Sequence, residues 1–164
     1  MDGAFQDGIQ DNYCFGCGSD NPHGLHVKSM WLTETDAVCR FQPQPHHAAG
    51  PRQYVNGGII ATVIDCHSVC TAIADAYRRE GRQIGGGEKI WYVTARLDIH
   101  YRKPAPIDEE LTLLARVEGV DGKKTRVSCT LSSKDALCAE ARVTAVRVAP
   151  EWLEPRTVTE AVDP

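Results

Sequence analysis

Between residues 55 and 81, the apolar positions Ile59, Ile60, Val63, Ile64, Cys66, Val69, Cys70 and Ile73 point in almost every direction around a helical period. The segment therefore predicts a long helix buried through most of its length. Asn56 suits its N-cap, because the side-chain oxygen accepts from a free first-turn amide. Arg78, Arg79 and Arg82 suit the negative end of the helix dipole, and Gly81 stops the helix.

Elsewhere the period is two. Residues 25–32 set Leu25, Val27, Ser29 and Trp31 against His26, Lys28 and Met30, and residues 36–41 follow across a turn at 33–35. The strongest strand signal starts at Ile90. There Trp91, Val93, Ala95, Leu97, Ile99 and Tyr101 face one way, and Tyr92, Thr94, Arg96, Asp98 and His100 the other. Pro104 and Pro106 end that run, residues 111–117 begin a new strand, and Asp121-Gly122 is a two-residue hairpin turn into residues 125–131. A last strand spans 137–148. Hairpin-linked strands lack the crossovers that parallel pairing needs, so the expected class is α+β, one helix against one antiparallel sheet.

Pro43, Pro45 and Pro51 make residues 42–55 an irregular loop delivering the chain to the helix. Gly85-Gly86-Gly87 lacks the Lys-Ser/Thr ending of a phosphate loop and reads as a flexible connection. The expected organisation is a mobile segment at 1–13, one domain at 14–150 and a loose tail at 151–164, in a chain of 164 residues.

A net charge of −4 without a dense Lys/Arg block argues against nucleic acid as the main partner. No run reads as a membrane span, and Met1-Asp2-Gly3-Ala4 lacks the basic and apolar regions of a signal peptide. Seven cysteines, an odd number, suit reduced thiols packed as small apolar groups and a cytoplasmic location. Cys14, Cys17, His23 and His26 have a spacing that admits zinc, but the gap between the pairs is shorter than in a zinc finger. His26 also opens a strand, and the expectation is no metal.

One residue on the helix needs a reason. Asp65 is a carboxylate in an apolar run, and burying a charge is costly. Three and four residues away lie Ala61, Thr62, Ser68 and Val69, with Gly58 and Ala72 beyond, a small-residue stripe that lets a second backbone or a ligand come close. The amides of Gly57 and Gly58, at the helix N-terminus and without side chains in the way, make a site for an oxyanion.

From Gly57 to Asp65 is eight residues, about 12 Å along a helix axis, whereas a base and its oxyanion donors must both lie within about 3 Å of the reacting group. If both act on one carbonyl, the amides come from one chain and Asp65 from another, across a two-fold axis where the stripes meet. His67, two residues beyond Asp65, is turned to the opposite side and reads as a hydrogen-bonded core histidine.

Cys14-Phe15-Gly16-Cys17-Gly18, then Asn21-Pro22-His23-Gly24-Leu25, then Gly50-Pro51 leading to Asn56-Gly57-Gly58 with Asp65 nine residues after Asn56, resembles the hotdog-fold acyl-CoA thioesterases of the phenylacetate-pathway (PaaI-like) type over residues 14–148. The resemblance implies a long helix wrapped by an antiparallel sheet, a homodimer or dimer of dimers, no cofactor beyond the CoA of the substrate, and hydrolysis of an acyl-CoA thioester. It also places Thr94 where the family carries a Ser or Thr that helps place the attacking water. Members of this type commonly have His before the Gly-Gly pair. Here Asn56 stands instead, able to orient a carbonyl but not to exchange a proton.

The expected catalytic set is Asp65, as general base or as nucleophile through an anhydride, with Gly57, Asn56 and Thr94. The expected substrate contacts are Gly58, His47 on the acyl pocket, Gln53 as an amide donor near the carbonyl, and Arg102 and Lys103 at the CoA phosphates. Two other readings follow from the same residues. One is a non-hydrolytic acyl-CoA-binding or regulatory protein, suggested by Asn56. The other is a hydratase, which needs a His-Asp pair over the acyl chain.

Overall fold

The computed structural model describes residues 3–155. Its strands are β1 (Ser29–Trp31), β2 (Asp36–Phe41), β3 (Tyr92–Tyr101), β4 (Leu111–Asp121), β5 (Lys124–Ser133) and β6 (Ala136–Arg147), and its one long helix is α1 (Gly57–Arg79). The strands form one sheet in the order β1-β2-β4-β5-β6-β3, every neighbouring pair antiparallel. This is the α+β arrangement that the strand and hairpin pattern predicts. The sheet curls around α1, whose Val63, Ile64, Ala72 and Ile73 meet Leu113, Leu131, Val127 and Val143 from the strands in one apolar core.

Asn56 caps α1 as expected, its Oδ1 accepting from the Gly58 amide at 2.7 Å and the Ile59 amide at 3.4 Å. At the other end Arg78 and Arg79 pair with Asp75 one turn back. Gly81 follows in the left-handed region (φ 67°), which a glycine enters without a Cβ penalty. By length and apolar composition this 23-residue helix meets the requirements of a membrane span, contrary to the sequence reading. Its apolar sides are instead covered by the sheet.

Several expectations are corrected. The first strand is three residues long rather than eight. His26 takes a left-handed backbone (φ 53°), and Leu25 and Val27 donate instead to the carbonyls of Phe15 and Gly16, so this stretch belongs to the loop at residues 14–18. The β4–β5 turn is Gly122-Lys123, one residue later than predicted, because Asp121 still pairs with Lys124.

Residues 3–13 are not left free. Phe5, Gln6, Ile9 and Asn12 are buried, and Gln6 exchanges hydrogen bonds with the backbone and hydroxyl of Ser29. A polar but satisfiable side chain thus serves as core, which polarity alone conceals. Finally, the Gly85–Gly87 connection is drawn together by Arg82, which donates to the carbonyls of Gly86 and Glu88. Of the tail expected at 151–164, residues 150–153 form an exposed 3-10 turn, and 156–164 lie outside the described residues.

The alternation of β3 is also interrupted. Its pairing with β6 shifts register between Thr94 and Arg96, a bulge at Ala95. Thr94 faces with Ala145, and beyond the bulge Leu97, Ile99 and Tyr101 face with Val143, Ala141 and Ala139. An extra residue therefore puts Thr94 on the same side as Leu97, Ile99 and Tyr101, toward α1, where strict alternation placed it on the opposite side.

Candidate active site

The N-terminus of α1 presents one free donor, not two. Asn56 spends its Oδ1 on the Gly58 amide, so Gly58 is closed as an oxyanion donor and Asn56 acts by shaping the turn. Among the described residues nothing accepts from the Gly57 amide, and Gly57 is exposed. The atoms nearest a Cβ on Gly57 would be the hydroxyl and ring of Tyr101, no closer than 3.6 Å.

The Tyr101 hydroxyl donates to the Gly57 carbonyl at 2.7 Å, tying the end of β3 to the first turn of α1. Sequence reasoning missed this residue as part of the site. Its phase with Leu97 and Ile99 along β3 is the signal that it faces the helix.

Asp65 lies two turns further along α1, half-buried between Thr94 and the helix surface. The Thr94 hydroxyl donates to Asp65 Oδ1 at 2.6 Å, and among the described residues Oδ2 has no hydrogen-bond partner. The bulge at Ala95 turns Thr94 toward the helix and so creates this pair. Burial pushes the Asp65 carboxyl above its ordinary range, and the Thr94 hydrogen bond works in the opposite direction.

Around Asp65 the stripe is open where it approaches the helix N-terminus. Gly58 is exposed and Ala61, Thr62 and Val69 are half-buried, whereas Ser68 and Ala72 are sealed in the core. β3, at the end of the sheet beside this stripe, keeps an unpaired edge.

The other residues singled out from the sequence divide. His67 is buried, as expected, with Nδ1 2.8 Å from the Ser29 hydroxyl, and it takes no part with Asp65. His47 is no solvated loop residue. Its ring is buried against Phe41, Nδ1 accepts from the Gln44 amide at 3.0 Å, and its carbonyl accepts from the Asn56 amide at 2.8 Å. It holds the loop that delivers Asn56 and Gly57, in place of the acyl contact first assigned to it.

Gln53 is exposed on that loop, its carbonyl accepting from the Ile107 amide. Arg102 is exposed and pairs with Glu140 at the surface, while Lys103 is exposed and has no ion pair among the described residues. His23 and His26 are both exposed and stand apart from the cysteines near them in sequence.

Comparison with known proteins bears on the family and the fold. The family model of the thioesterase superfamily matches residues 53–140, more than half of the chain. The acyl-coenzyme A thioesterase THEM4 of Xenopus laevis is 29% identical over 141 residues, 86% of this chain and 51% of that protein. THEM4 of Mus musculus is 31% identical over 107 residues, 64% of this chain and 40% of that one. The chain thus spans about half or less of the length of these curated relatives.

Among solved structures, a thioesterase superfamily protein from Shewanella loihica PV-4 aligns with a TM-score of 0.63 at 35% identity, covering 79% of this chain and 96% of that one. The E. coli PaaI protein from the phenylacetic acid degradation operon, at 16% identity and a TM-score of 0.61 over 76% of this chain and 81% of its own, shares the fold. With its long helix enclosed by a six-stranded antiparallel sheet, the chain belongs to the thioesterase superfamily and has the hotdog fold.

Proposed function

We propose that this protein hydrolyses acyl-CoA thioesters at a site shared between two copies, in the cytoplasm and without a cofactor. The observation that carries this reading is the Thr94–Asp65 pair. A half-buried carboxylate has one oxygen engaged and the other open, on a small-residue stripe beside a free sheet edge.

The Gly57 amide of the same helix is about 12 Å away, so a thioester held by Asp65 needs its oxyanion donor from a neighbour. Pairing two copies at β3, as a dimer or a dimer of dimers, covers the unpaired edge together with half-buried Leu97 and Ile99.

In the reaction, Thr94 gives its hydrogen to Asp65 Oδ1 and keeps its oxygen lone pairs for a water that donates to it. The other hydrogen of that water points to Asp65 Oδ2. Asp65 removes that proton as general base while the water oxygen attacks the thioester carbonyl carbon. The carbonyl oxygen becomes an oxyanion held by the partner copy's Gly57 amide, at the positive end of its helix. Collapse of this intermediate breaks the carbon–sulfur bond and releases the acid, and the proton held by Asp65 passes to the leaving sulfur, giving CoA thiol and restoring the carboxylate. Because the Thr94 hydroxyl donates to the carboxylate, its free lone pairs favour this route over direct attack by Asp65.

A panel of aryl, short and long acyl-CoA thioesters, followed by thiol release, tests the assignment. Asp65→Asn is expected to lower kcat by about 10²–10⁴-fold on the best substrate. Hydrolysis at the original rate in that variant removes Asp65 from the chemistry. Tight binding of acyl-CoA with no thiol release from the unmodified protein supports the non-hydrolytic reading instead.

A further inference from the structure

Four of the seven cysteines leave the strands and come together at one place. Cys14 and Cys17 lie on the loop before β1, and Cys66 and Cys70 one turn apart on the neighbouring side of α1. The sulfurs of Cys14, Cys17 and Cys66 all lie within 4.8 Å of one another. Cys14 Sγ is 3.7 Å from Cys66 Sγ, and Cys70 Sγ is 3.8 Å from Cys17 Sγ.

Four thiolates about 2.3 Å from a tetrahedral zinc ion stand about 3.8 Å from one another. The two cross-pairs already have that separation. The three mutually close sulfurs reach it with a contraction of about 1 Å at most, whereas Cys70 Sγ, close to Cys17 but outside the group of three, must turn inward to complete the set.

The backbone around the loop is built for this approach. A Cβ on Gly16 would lie 2.1 Å from Cys66 Sγ, so only glycine lets the loop press onto the helix at this point. A Cβ on Gly18 would lie 2.4 Å from the Asn12 carbonyl and the Cys14 amide, so glycine closes the loop just after Cys17. Asn12, itself buried, steadies both loop cysteines. Its Oδ1 accepts from the Cys14 amide at 3.1 Å and its Nδ2 donates toward Cys17 Sγ at 3.7 Å. Hydrogen bonds from outside the ligand set are what orient the ligands of a metal site.

We infer that Cys14, Cys17, Cys66 and Cys70 bind one zinc ion in a closed tetrathiolate site that clamps the N-terminal loop onto the middle of α1. The spacing weighed and set aside in the sequence joined Cys14 and Cys17 with His23 and His26. The second pair comes from α1 at Cys-x3-Cys spacing, and His23 and His26 stay outside. Four protein ligands leave no open position, so the ion is structural and takes no part in hydrolysis. Its binding releases the thiol protons and adds metal affinity to folding stability. Cys66 follows Asp65 directly, so the clamp also fixes the turn of α1 that presents the carboxylate.

Metal analysis of the full-length protein, purified under reducing conditions, is the test. It should contain about one zinc per chain, retained in Cys129→Ala and lost in Cys17→Ala. If Cys17→Ala fails to fold, cobalt titrated into the reduced, metal-free unmodified protein decides, since tetrathiolate coordination gives sulfur-to-cobalt charge transfer and strong tetrahedral ligand-field bands.

Absence of stoichiometric metal together with a cobalt titration lacking these bands overturns the inference. Zinc retained in full by folded Cys17→Ala, or an isolated protein holding these cysteines as disulfides, does so equally. None of these readings depends on thioester hydrolysis, so the site stands or falls separately from the catalytic proposal.

Discussion

At the residue scale, one hydroxyl sets the state of the Asp65 carboxylate. Thr94 is its only hydrogen-bond partner among the described residues, at 2.6 Å, and replaces part of the hydration that burial removes. Thr94→Val keeps the shape and deletes the donor. A hydrogen bond to a charged group contributes about 1.5–3 kcal/mol, so kcat is expected to fall about 10- to 10²-fold with KM little changed. Steady-state kinetics on the best acyl-CoA checks this, and an unchanged kcat would make the Thr94 contact incidental.

Asp65 was legible in the sequence because a lone acid in an apolar helix asks for an explanation. Thr94 was legible only through family resemblance, and its direction was not legible at all. The bulge at Ala95 has no sequence signal of its own, and without it the alternation puts Thr94 on the far face. Tyr101 escaped for a related reason. Its role is a hydroxyl bond to the Gly57 carbonyl, and a tyrosine at a strand end gives no sign of what its tip reaches.

At the scale of the element, the start of α1 separates two tasks that the sequence reading merged. Asn56 completes the helix and Gly57 offers the free amide. Asn56→Ala removes the cap from Gly58 and should cost about 1 kcal/mol of stability, read from denaturant unfolding.

Gly57→Pro instead replaces the amide hydrogen with a ring carbon and leaves the cap in place. Proline is accommodated at the first helical position, and Asn56, with φ −59° and ψ 135°, already has the backbone that a residue before proline adopts. Stability should hold while kcat falls about 10²–10³-fold, the usual loss of one oxyanion donor. A Gly57→Pro enzyme of normal kcat would show that the oxyanion is held elsewhere.

The helix itself, its cap and its stop were readable because the apolar pattern, Asn56 and Gly81 agree. The first strand was not, because the left-handed backbone at His26 breaks an alternation that looks intact in one dimension. The buried N-terminal segment was hidden in turn by polar Gln6 and Asn12, whose burial depends on partners distant in sequence.

At the scale of the whole molecule, one helix inside one antiparallel sheet followed from the succession of hairpins. The ground for proposing a shared site is visible as well. Gly57 and Asp65 lie on one helix at a fixed separation that no side-chain motion closes, and the edge of β3 beside them is unpaired. The cysteine cluster joins residues 14–17 to residues 66–70, a contact that became apparent only when the loop and the helix were placed together.

The shared site is tested most directly by mixing two inactive variants. Asp65→Asn keeps the Gly57 amide, and Gly57→Pro keeps the carboxylate, so a mixed dimer rebuilds one complete site and leaves the other doubly defective. After co-refolding at equal amounts, random pairing makes half the dimers mixed, and activity should return to about a quarter of the unmodified level. Activity no greater than the sum of the two parents, in a sample where native mass spectrometry shows mixed dimers, would contradict a carboxylate and an amide acting across two copies.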